Sequence, residues 1–324
     1  MSALLEVEGL RIKLPTPAGH VTVVDGISYT VEAGSVFGIA GESGSGKTMS
    51  ALALLGLLPD GAAVQGRATF GARDLLHLPK RALQDVRGGE IAMVFQDPLT
   101  ALHPMMNIGR QLTEHVRRHL GLSKRAALDR AASLLADVRI PDPEGALDAF
   151  PHQFSGGMRQ RIAIAAALAC DPKLIIADEP TTALDVTVQA GILRLLDELR
   201  REKGLSVILI THDLGVMSAI ADHVSVMYAG RVVEEGVRAD VLRAPRHPYA
   251  KALLGALPHP ESSKAVPLVA IPGSPPSAGA VPSGCAFHPR CGFAVPSCAT
   301  DDPPLIKSGD RCFACPVDPF GAAA

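Results

Sequence analysis

Short apolar runs alternate with longer amphipathic or alanine-rich stretches along most of this chain. Runs that are apolar at nearly every position predict strands buried on both faces, as in a parallel sheet. Longer stretches with helical spacing or many alanines predict helices. The predicted strands are 36–40, 91–95, 174–177 and 206–210, and the predicted helices are 48–58, 107–120, 123–138 and 162–169. This alternation predicts an α/β fold.

The residues directly after the first predicted strand are rich in glycine. Residues 41–48, GESGSGKT, match the pattern G-x-x-x-x-G-K-[ST] at every fixed position. In this pattern glycines turn backbone N–H groups toward phosphate oxygens, a lysine neutralises the β- and γ-phosphates, and a hydroxyl ligates Mg²⁺. The alternative is a turn that matches by chance, but the flanking strand and helix favour a phosphate-binding P-loop. The residues assigned to the phosphates are Gly41, Ser43, Gly44, Ser45, Gly46, Lys47 and Thr48.

Two carboxylates and an amide stand at the ends of further predicted strands. Asp178 and Glu179 follow the run 174–177, and Gln96 follows the run 91–95. Because ligands bind at the carboxyl ends of parallel strands, we expect Asp178 and Gln96 to lie near the Mg²⁺ that accompanies a triphosphate, as Thr48 does. Glu179 is then placed to orient or deprotonate the attacking water. The alternative is that the acids cap the next helix and the glutamine is merely solvated.

Two further polar segments fit the same chemistry. His212 follows the run 206–210 and could reach a γ-phosphate, although a lone histidine after a strand is more often structural. Ser155, Gly156 and Gly157 precede the alanine-rich stretch 162–169. A serine N-cap followed by two bare glycines makes a helix start that could hold an anion presented by another molecule. On its own, Ser-Gly-Gly predicts only a junction between a loop and a helix.

Together, these segments resemble the nucleotide-binding subunit of ATP-binding cassette (ABC) transporters. Their order and approximate spacing match that family over about residues 4–258, and residues 183–185 match its D-loop. The resemblance implies ATP and Mg²⁺ as cofactors and Glu179, His212 and Gln96 as catalytic residues. It implies that Ser155, Gly156 and Gly157 contact the ATP of a partner subunit. It further implies a P-loop core with an antiparallel β subdomain, and a helical subdomain at about 97–170 that receives the coupling helices of membrane subunits.

Two positions depart from the pattern of that family. Many members stack the adenine on an aromatic residue upstream of the P-loop, whereas residues 17–23, PAGHVTV, contain none. We therefore expect His20 or Val21 to face the base instead. Met158 also stands in the signature segment where glutamine is commonest.

The C-terminal part of the chain has a different composition. Residues 246–254, RHPYAKALL, precede a stretch rich in proline, glycine and serine, 258–284, which predicts an extended segment or linker. The His-Pro-Tyr sequence and the cysteine-bearing tail resemble the oligopeptide, dipeptide and nickel branch of the importers, as do residues 96–98 and 154–161. The predicted domains are therefore an ABC nucleotide-binding domain at 1–245 and a small C-terminal extension at 246–324.

The cysteines are concentrated in this tail. Cys170 is predicted to be a small buried hydrophobe. Clustered cysteines in a cytosolic chain favour a metal over disulfides, and the spacing is not that of a regular zinc ribbon. Some members of the branch look as if they carry a [4Fe–4S] cluster here, so we expect one, with zinc or no metal as the alternatives. The expected ligands are Cys285, Cys291, Cys298 and Cys315, with Cys312 as the alternative fourth ligand.

Composition bounds the location and the partners. The chain has 31 basic and 33 acidic residues, well mixed, which argues against nucleic-acid binding by bulk charge. We expect no secretory signal, and no apolar run approaches the ~18–20 residues of a membrane span. The expected location is therefore peripheral, on the cytoplasmic face of the inner membrane. Since there is one P-loop, the resemblance implies a heterodimer with a paralogous ATPase subunit, two membrane permease subunits and an extracytoplasmic peptide-binding protein.

The sequence thus predicts the ATP-hydrolysing subunit of an importer of di- and oligopeptides. The alternative is the same role for nickel or another small solute, which this chain hardly distinguishes from peptide import. A third hypothesis is a non-transport cassette ATPase acting on DNA or the ribosome. Such proteins commonly carry two cassettes or a long coiled-coil insertion, and neither pattern occurs in this sequence.

Overall fold

The computed structural model describes residues 2–97, 101–182, 184–256 and 270–321. Predictions for Pro98, Ala183 and the stretch 257–269 therefore lie outside the described residues. The strands are β1 (Ala3–Thr16), β2 (Gly19–Glu32), β3 (Val36–Ala40), β4 (Ala63–Phe70), β5 (Arg73–Asp74), β6 (Ile91–Val94), β7 (Leu174–Asp178), β8 (Ser206–Thr211), β9 (His223–Tyr228), β10 (Arg231–Val237), β11 (Ile306–Ser308) and β12 (Arg311–Phe313). The helices are α1 (Lys47–Leu54), α2 (Lys80–Val86), α3 (Ile108–Leu120), α4 (Lys124–Asp137), α5 (Pro143–Ala146), α6 (Gly156–Leu168), α7 (Val186–Lys203), α8 (Leu214–Ile220), α9 (Arg238–Arg243) and α10 (Pro248–Gly255).

The described residues form two compact units. The first consists of Ala33–Ser35 and Leu78–Leu209, and the second consists of Ser2–Glu32, Val36–His77 and Ile210–Ala324. The predicted boundary between residues 245 and 246 stays a prediction. Within the described ranges, no helix combines the length and the apolar character needed to cross a bilayer.

The first unit contains three neighbouring strands and a group of helices. Its strands follow the order β8-β7-β6, with β6 and β7 paired in parallel. Every residue of β7 is buried, as its apolar run predicts. Helices α3 and α4 pack on each other and on α6. Asn107 and Ser123 cap α3 and α4 by accepting backbone N–H bonds from Arg110 and Ala126 at 2.9 Å and 3.3 Å, which confirms both predicted helices.

The N-terminal part of the second unit is an antiparallel sheet. Strands β1 and β2 form a long hairpin, and the strand order is β2-β1-β4-β5. The register between β1 and β4 shifts at Gly66. A Cβ on Gly66 would lie only 2.7 Å from the carbonyl oxygens of Glu8 and Gly9, so this position requires glycine. The antiparallel β subdomain expected from the resemblance is thus confirmed.

The rest of the second unit surrounds a mixed sheet with the order β11-β12-β10-β9-β3. β3 runs parallel to β9, with Phe37 opposite His223 and Ala40 opposite Val226. The C-terminal extension adds β12 to the edge of β10, which places Cys312 opposite Glu235. The C-terminal extension therefore adds strands to the sheet that contains β3, the strand that precedes the P-loop and α1.

Two helix boundaries differ from the predicted ones. α1 ends at Leu54, earlier than residue 58, because the Leu55 N–H turns back to Leu52 at 3.2 Å and Gly56 takes a left-handed φ of 56°. α6 begins at Gly156, earlier than residue 162, because the Ser155 side chain caps it. The P-loop and the signature segment thus both lie directly at helix starts.

Candidate nucleotide site

The loop between β3 and α1 depends on glycine for its shape. Gly41 and Gly46 have φ values of 149° and 98°, which residues with a Cβ rarely adopt. A Cβ on Gly41 would lie 2.2 Å from the Met227 carbonyl oxygen, and one on Gly46 would lie 2.6 Å from the Val23 carbonyl oxygen. Contacts this close exclude a larger residue at either position, so the loop exposes only backbone atoms at Gly41 and Gly46.

The lysine of this loop is the first residue of α1. Lys47 is 5% exposed, and its Nζ donates to the carbonyl oxygens of Gly41 at 2.7 Å and Glu42 at 2.9 Å. Gly46 is the N-cap and offers no side-chain acceptor to the first turn. A cation and a helix start that no side chain caps therefore lie together, an arrangement that favours phosphate binding.

The end of β7 holds the two predicted acidic residues. Asp178 is the last residue of the strand and is 4% exposed. Glu179 has a left-handed φ of 47°, which is rare outside glycine and common where a side chain must be held for function. Its Oε2 accepts hydrogen bonds from Gln96 Nε2 at 3.0 Å and from Thr182 Oγ1 at 2.7 Å. The first unit therefore brings Gln96 and Glu179 together, and it fixes the direction of the Glu179 carboxylate.

The signature segment starts α6. Ser155 accepts the Met158 backbone N–H at 3.3 Å, as its prediction as an N-cap requires. A Cβ on Gly157 would lie 2.6 Å from Val188 Cγ1, so this glycine lets α6 pack against α7. A Cβ on Gly156 would meet nothing nearer than Leu184 Cδ2 at 3.7 Å. Packing against neighbouring residues therefore does not account for the glycine at position 156.

The turn after β8 presents His212 to solvent. Thr211 Oγ1 accepts the Asp213 backbone N–H at 3.0 Å, and the Asp213 carboxylate accepts the Gly215 N–H at 2.7 Å to cap α8. The backbone on both sides of the imidazole is thus fixed. His212 belongs to the second unit, as the P-loop does, whereas Gln96, Ser155 and Glu179 belong to the first.

A cleft lies beside the residues expected to face the base. It has a volume of about 430 Å³ and is lined by His20 and Val21 from β2, by Arg231, and by Ala278 and Pro282 from the extension. The His20 ring nitrogen Nε2 lies 3.2 Å from the Gly61 carbonyl oxygen. That His20 or Val21 faces an adenine stays a prediction.

The His-Pro-Tyr sequence anchors the extension. Glu234 is fully buried on β10, and its carboxylate accepts the backbone N–H groups of Arg246 at 2.9 Å and His247 at 2.8 Å, with Arg311 at 3.4 Å. Burial lowers the pKa of His247 to about 3, so its ring is neutral. His247 Nδ1 accordingly accepts the Tyr249 N–H at 3.0 Å and caps α10.

The cysteine cluster does not form a metal site. Cys285, Cys291, Cys298 and Cys315 line one cavity of about 20 Å³, which has room for roughly one water molecule. Burial raises the pKa of the Cys285, Cys291 and Cys315 thiols. Among the residues that the structure describes, no group of three or more His, Cys, Asp or Glu side chains could hold a metal ion. The predicted [4Fe–4S] cluster on these residues, with Cys312 as alternative ligand, is therefore wrong.

Sequence reasoning missed some partners of the site. Thr182, which bonds Glu179, lies three residues away and could have been found as a hydroxyl in the next turn. Glu42 lies inside the P-loop pattern at a variable position, so the pattern assigns it no role. Its N–H donates to the Tyr249 hydroxyl at 2.8 Å, and its carboxylate pairs with Arg290. No local signal connects residues so distant in sequence.

Comparisons with known proteins agree with this geometry. Residues 24–182 match the ABC transporter family, and residues 233–298 match the oligopeptide/dipeptide transporter C-terminal region. The oligopeptide transport ATP-binding protein OppD of Salmonella typhimurium is 49% identical over 314 residues, which cover 97% of this chain and 93% of that protein. The dipeptide transport ATP-binding protein DppD of Bacillus subtilis is 48% identical over 293 residues, which cover 90% and 87%.

A similar solved structure is a dimeric ATP-binding cassette in a post-hydrolysis state, bound to ADP and phosphate. It matches with a TM-score of 0.64 at 26% identity and covers 72% of this chain and 98% of its own. The fold and the P-loop therefore define the protein as an ATPase of the ABC cassette class. Within that class, the chain belongs to the family of oligopeptide and dipeptide transport ATP-binding subunits. The predicted family, fold class and ATPase activity are thus confirmed.

Proposed function

We propose that this chain hydrolyses ATP to power the import of di- and oligopeptides through a multi-subunit ABC transporter. The observation that carries the proposal is the glycine-dependent loop that holds the buried Lys47 at the start of α1. The peptide class comes from the relatives, which are named as oligopeptide and dipeptide transport ATP-binding proteins. No residue of this chain need touch the peptide, because membrane subunits and a separate binding protein handle it.

The proposal assigns the triphosphate to the P-loop, where Lys47 and the backbone N–H groups bind its oxygens. The loop residues concerned are Gly41, Ser43, Gly44, Ser45, Gly46, Lys47 and Thr48. Thr48, Gln96 and Asp178 offer hydroxyl, amide and carboxylate oxygens, the hard donors that Mg²⁺ prefers. Mg²⁺ bound there would neutralise phosphate charge.

Glu179 takes the role of the residue that orients or deprotonates the attacking water. Its hydrogen bonds from Gln96 and Thr182 hold the carboxylate in one direction, which suits that role. His212 is assigned to the γ-phosphate. Ser155, Gly156 and Gly157 present the start of α6 to the ATP bound by a partner ATPase subunit, so that hydrolysis removes a bridge between two subunits.

The proposed partners are a paralogous ATPase subunit, two membrane permease subunits and an extracytoplasmic peptide-binding protein. The proposed location is peripheral, on the cytoplasmic face of the inner membrane. Helices α3 and α4 are proposed to receive the coupling helices of the permeases. The chain is proposed to divide into a nucleotide-binding domain at 1–245 and an extension at 246–324.

Replacing Glu179 with Gln tests the catalytic assignment in the assembled transporter. Because the amide cannot take a proton from water, we expect ATP hydrolysis to fall about 10²- to 10⁴-fold while ATP binding is retained. Glu202→Gln, at an exposed position on α7, is the matched control and should hydrolyse ATP at the wild-type rate. Wild-type turnover in the Glu179→Gln transporter would remove Glu179 from this role.

Uptake measurements test the solute. In cells whose only copy carries Glu179→Gln, we expect uptake of a labelled dipeptide to be lost and uptake of nickel ions to continue. Loss of nickel uptake alone would assign the chain to metal import. Loss of neither would contradict both solute assignments.

A further inference from the structure

The second residue of the P-loop is held by the C-terminal extension. Glu42 accepts both terminal nitrogens of Arg290, with Nη1 at 2.7 Å from Oε2 and Nη2 at 3.0 Å from Oε1. Its backbone N–H donates to the Tyr249 hydroxyl at 2.8 Å. Two residues of the extension thus bond both the side chain and the backbone of a P-loop residue. A bidentate pair of this kind fixes geometry as well as charge.

The Arg290 side chain is buried and contacted on several sides. Its side chain is 6% exposed, and its Nε donates to the Pro272 carbonyl oxygen at 2.8 Å. The guanidinium carbon lies 5.8 Å from the ring centres of both Tyr228 and Phe287. A buried guanidinium whose position is fixed on several sides cannot follow Glu42 if the loop moves, so the pair restrains the loop.

The segment that carries Arg290 is itself rigidly built. Arg290 ends a 3₁₀ turn, His288–Arg290, that follows Phe287. The Phe287 ring packs against Tyr228 and Tyr249 with ring centres 5.3 Å apart in both pairs, and Tyr228 and Tyr249 lie 4.5 Å apart. The aromatic cluster therefore supports the two groups that bond Glu42, the Arg290 guanidinium and the Tyr249 hydroxyl.

The Glu42 carbonyl oxygen connects this support to the P-loop lysine. It accepts Lys47 Nζ at 2.9 Å and the Ser45 backbone N–H at 3.2 Å. Fixing the N–H and carboxylate of Glu42 from the extension consequently fixes the carbonyl that orients Lys47.

We propose that Arg290, together with Tyr249, is a positioning residue for the P-loop, so that the C-terminal extension sets the affinity of the loop for nucleotide. This inference rests on the proposed function in placing the nucleotide phosphates at Lys47. Arg290 itself does not touch the nucleotide. It acts through Glu42, and it links the segment beside the cysteine-lined cavity to ATP binding.

The test measures the dissociation constant for Mg-ADP, by calorimetry, on the assembled transporter. Arg290→Gln should weaken Mg-ADP binding about tenfold, and so should Glu42→Gln. The double variant should be no weaker than either single variant, because both changes remove the same interaction. Arg290→Lys keeps the charge but not the fork, and it should restore only part of the affinity.

The control is Arg246→Gln, which breaks another ion pair of the extension, with Asp318, that does not touch the P-loop. Arg246→Gln should lower the unfolding temperature while the Mg-ADP affinity stays within twofold of wild type. The proposal is overturned if Arg290→Gln leaves Mg-ADP affinity unchanged, if Arg246→Gln weakens it equally, or if the Arg290 and Glu42 effects simply add. A Lys47→Ala variant that still binds Mg-ADP normally would instead contradict the proposed function.

Discussion

Two helix starts in this protein are suited to anions, and they are built in different ways. α1 begins with a lysine whose ammonium group is buried beside the loop backbone, and glycines with positive φ shape that loop. α6 is capped by the Ser155 hydroxyl and begins at Gly156. No neighbouring atom lies close enough to Gly156 to exclude a larger side chain there. The first start has a lysine at its first helical position, whereas the first three residues of the second, Gly156, Gly157 and Met158, carry no charge, and its nearest basic residue is Arg159.

The difference predicts different tasks. A loop with a cation can bind a free nucleotide from solution, since charge-assisted hydrogen bonds are the strong ones. A capped helix start whose first three residues carry no charge offers there only the weaker attraction of the helix dipole, about 0.3–1 kcal/mol when exposed. It is therefore suited to a phosphate that another subunit already holds in place. The following variants test this division of tasks.

The largest effect on nucleotide affinity is expected for Lys47→Ala. Removing the ammonium group deletes the charge that the proposed site offers to phosphates, so Mg-ADP affinity should fall about 100-fold or more, or about 3 kcal/mol. Calorimetry on the assembled transporter measures the change. Lys173→Ala removes a lysine whose side chain is 68% exposed, and it should bind nucleotide normally. Equal affinity in the two variants would show that the α1 start is not the nucleotide site.

The two glycines should respond oppositely to alanine. At Gly46, with a φ of 98° and the Val23 carbonyl oxygen 2.6 Å from the added Cβ, we expect a loss of stability on the order of 2–3 kcal/mol. At Gly156 the nearest atom lies 3.7 Å away, and alanine favours helix, so stability should be unchanged or rise by up to about 1 kcal/mol. Urea unfolding midpoints measure both changes. Equal destabilisation would mean that Gly156, too, is needed for the fold.

Local features of this chain were predictable because their causes lie within a few residues. The P-loop pattern, the buried run of β7 and the N-cap Ser155 each act through neighbours in sequence. The early end of α1 was not predicted, although a glycine such as Gly56, which has a positive φ, commonly follows the end of a helix. The sequence placed Gln96 and Glu179 at the same edge of the sheet, but it did not predict the hydrogen bond between them, because hydrogen-bond partners depend on the fold.

The extension was predicted least well. The resemblance implied that Cys285, Cys291, Cys298 and Cys315 ligate a cluster, whereas in the structure they line one small cavity. Spacing carries no information on how the side chains are arranged in space, and among the residues that the structure describes no group of three or more His, Cys, Asp or Glu could hold a metal ion. The contact between Arg290 and Glu42 joins residues 248 positions apart, so no local pattern reveals it.

The final prediction concerns Ser155, where helix capping and contact with a partner's phosphate can be separated. Ser155→Asp keeps a side-chain oxygen for the Met158 N–H, and aspartate caps helices about as well as serine, so stability should stay within about 0.5 kcal/mol of wild type. The new carboxylate would face the phosphate presented by the partner subunit. Like charges about 4 Å apart near a protein surface repel by up to about 4 kcal/mol, so ATP hydrolysis by the assembled transporter should fall about 100-fold.

Ser123→Asp is the matched control, because Ser123 caps α4 with a bond of 3.3 Å, the same length as the Ser155 bond that caps α6. It should leave both stability and hydrolysis unchanged. If Ser155→Asp also hydrolyses ATP at the wild-type rate, the α6 start receives no phosphate, and its serine acts only as a cap. If hydrolysis falls while Mg-ADP affinity of the chain is kept, the two helix starts divide the nucleotide as their construction predicts, since binding then depends on Lys47 and turnover on Ser155.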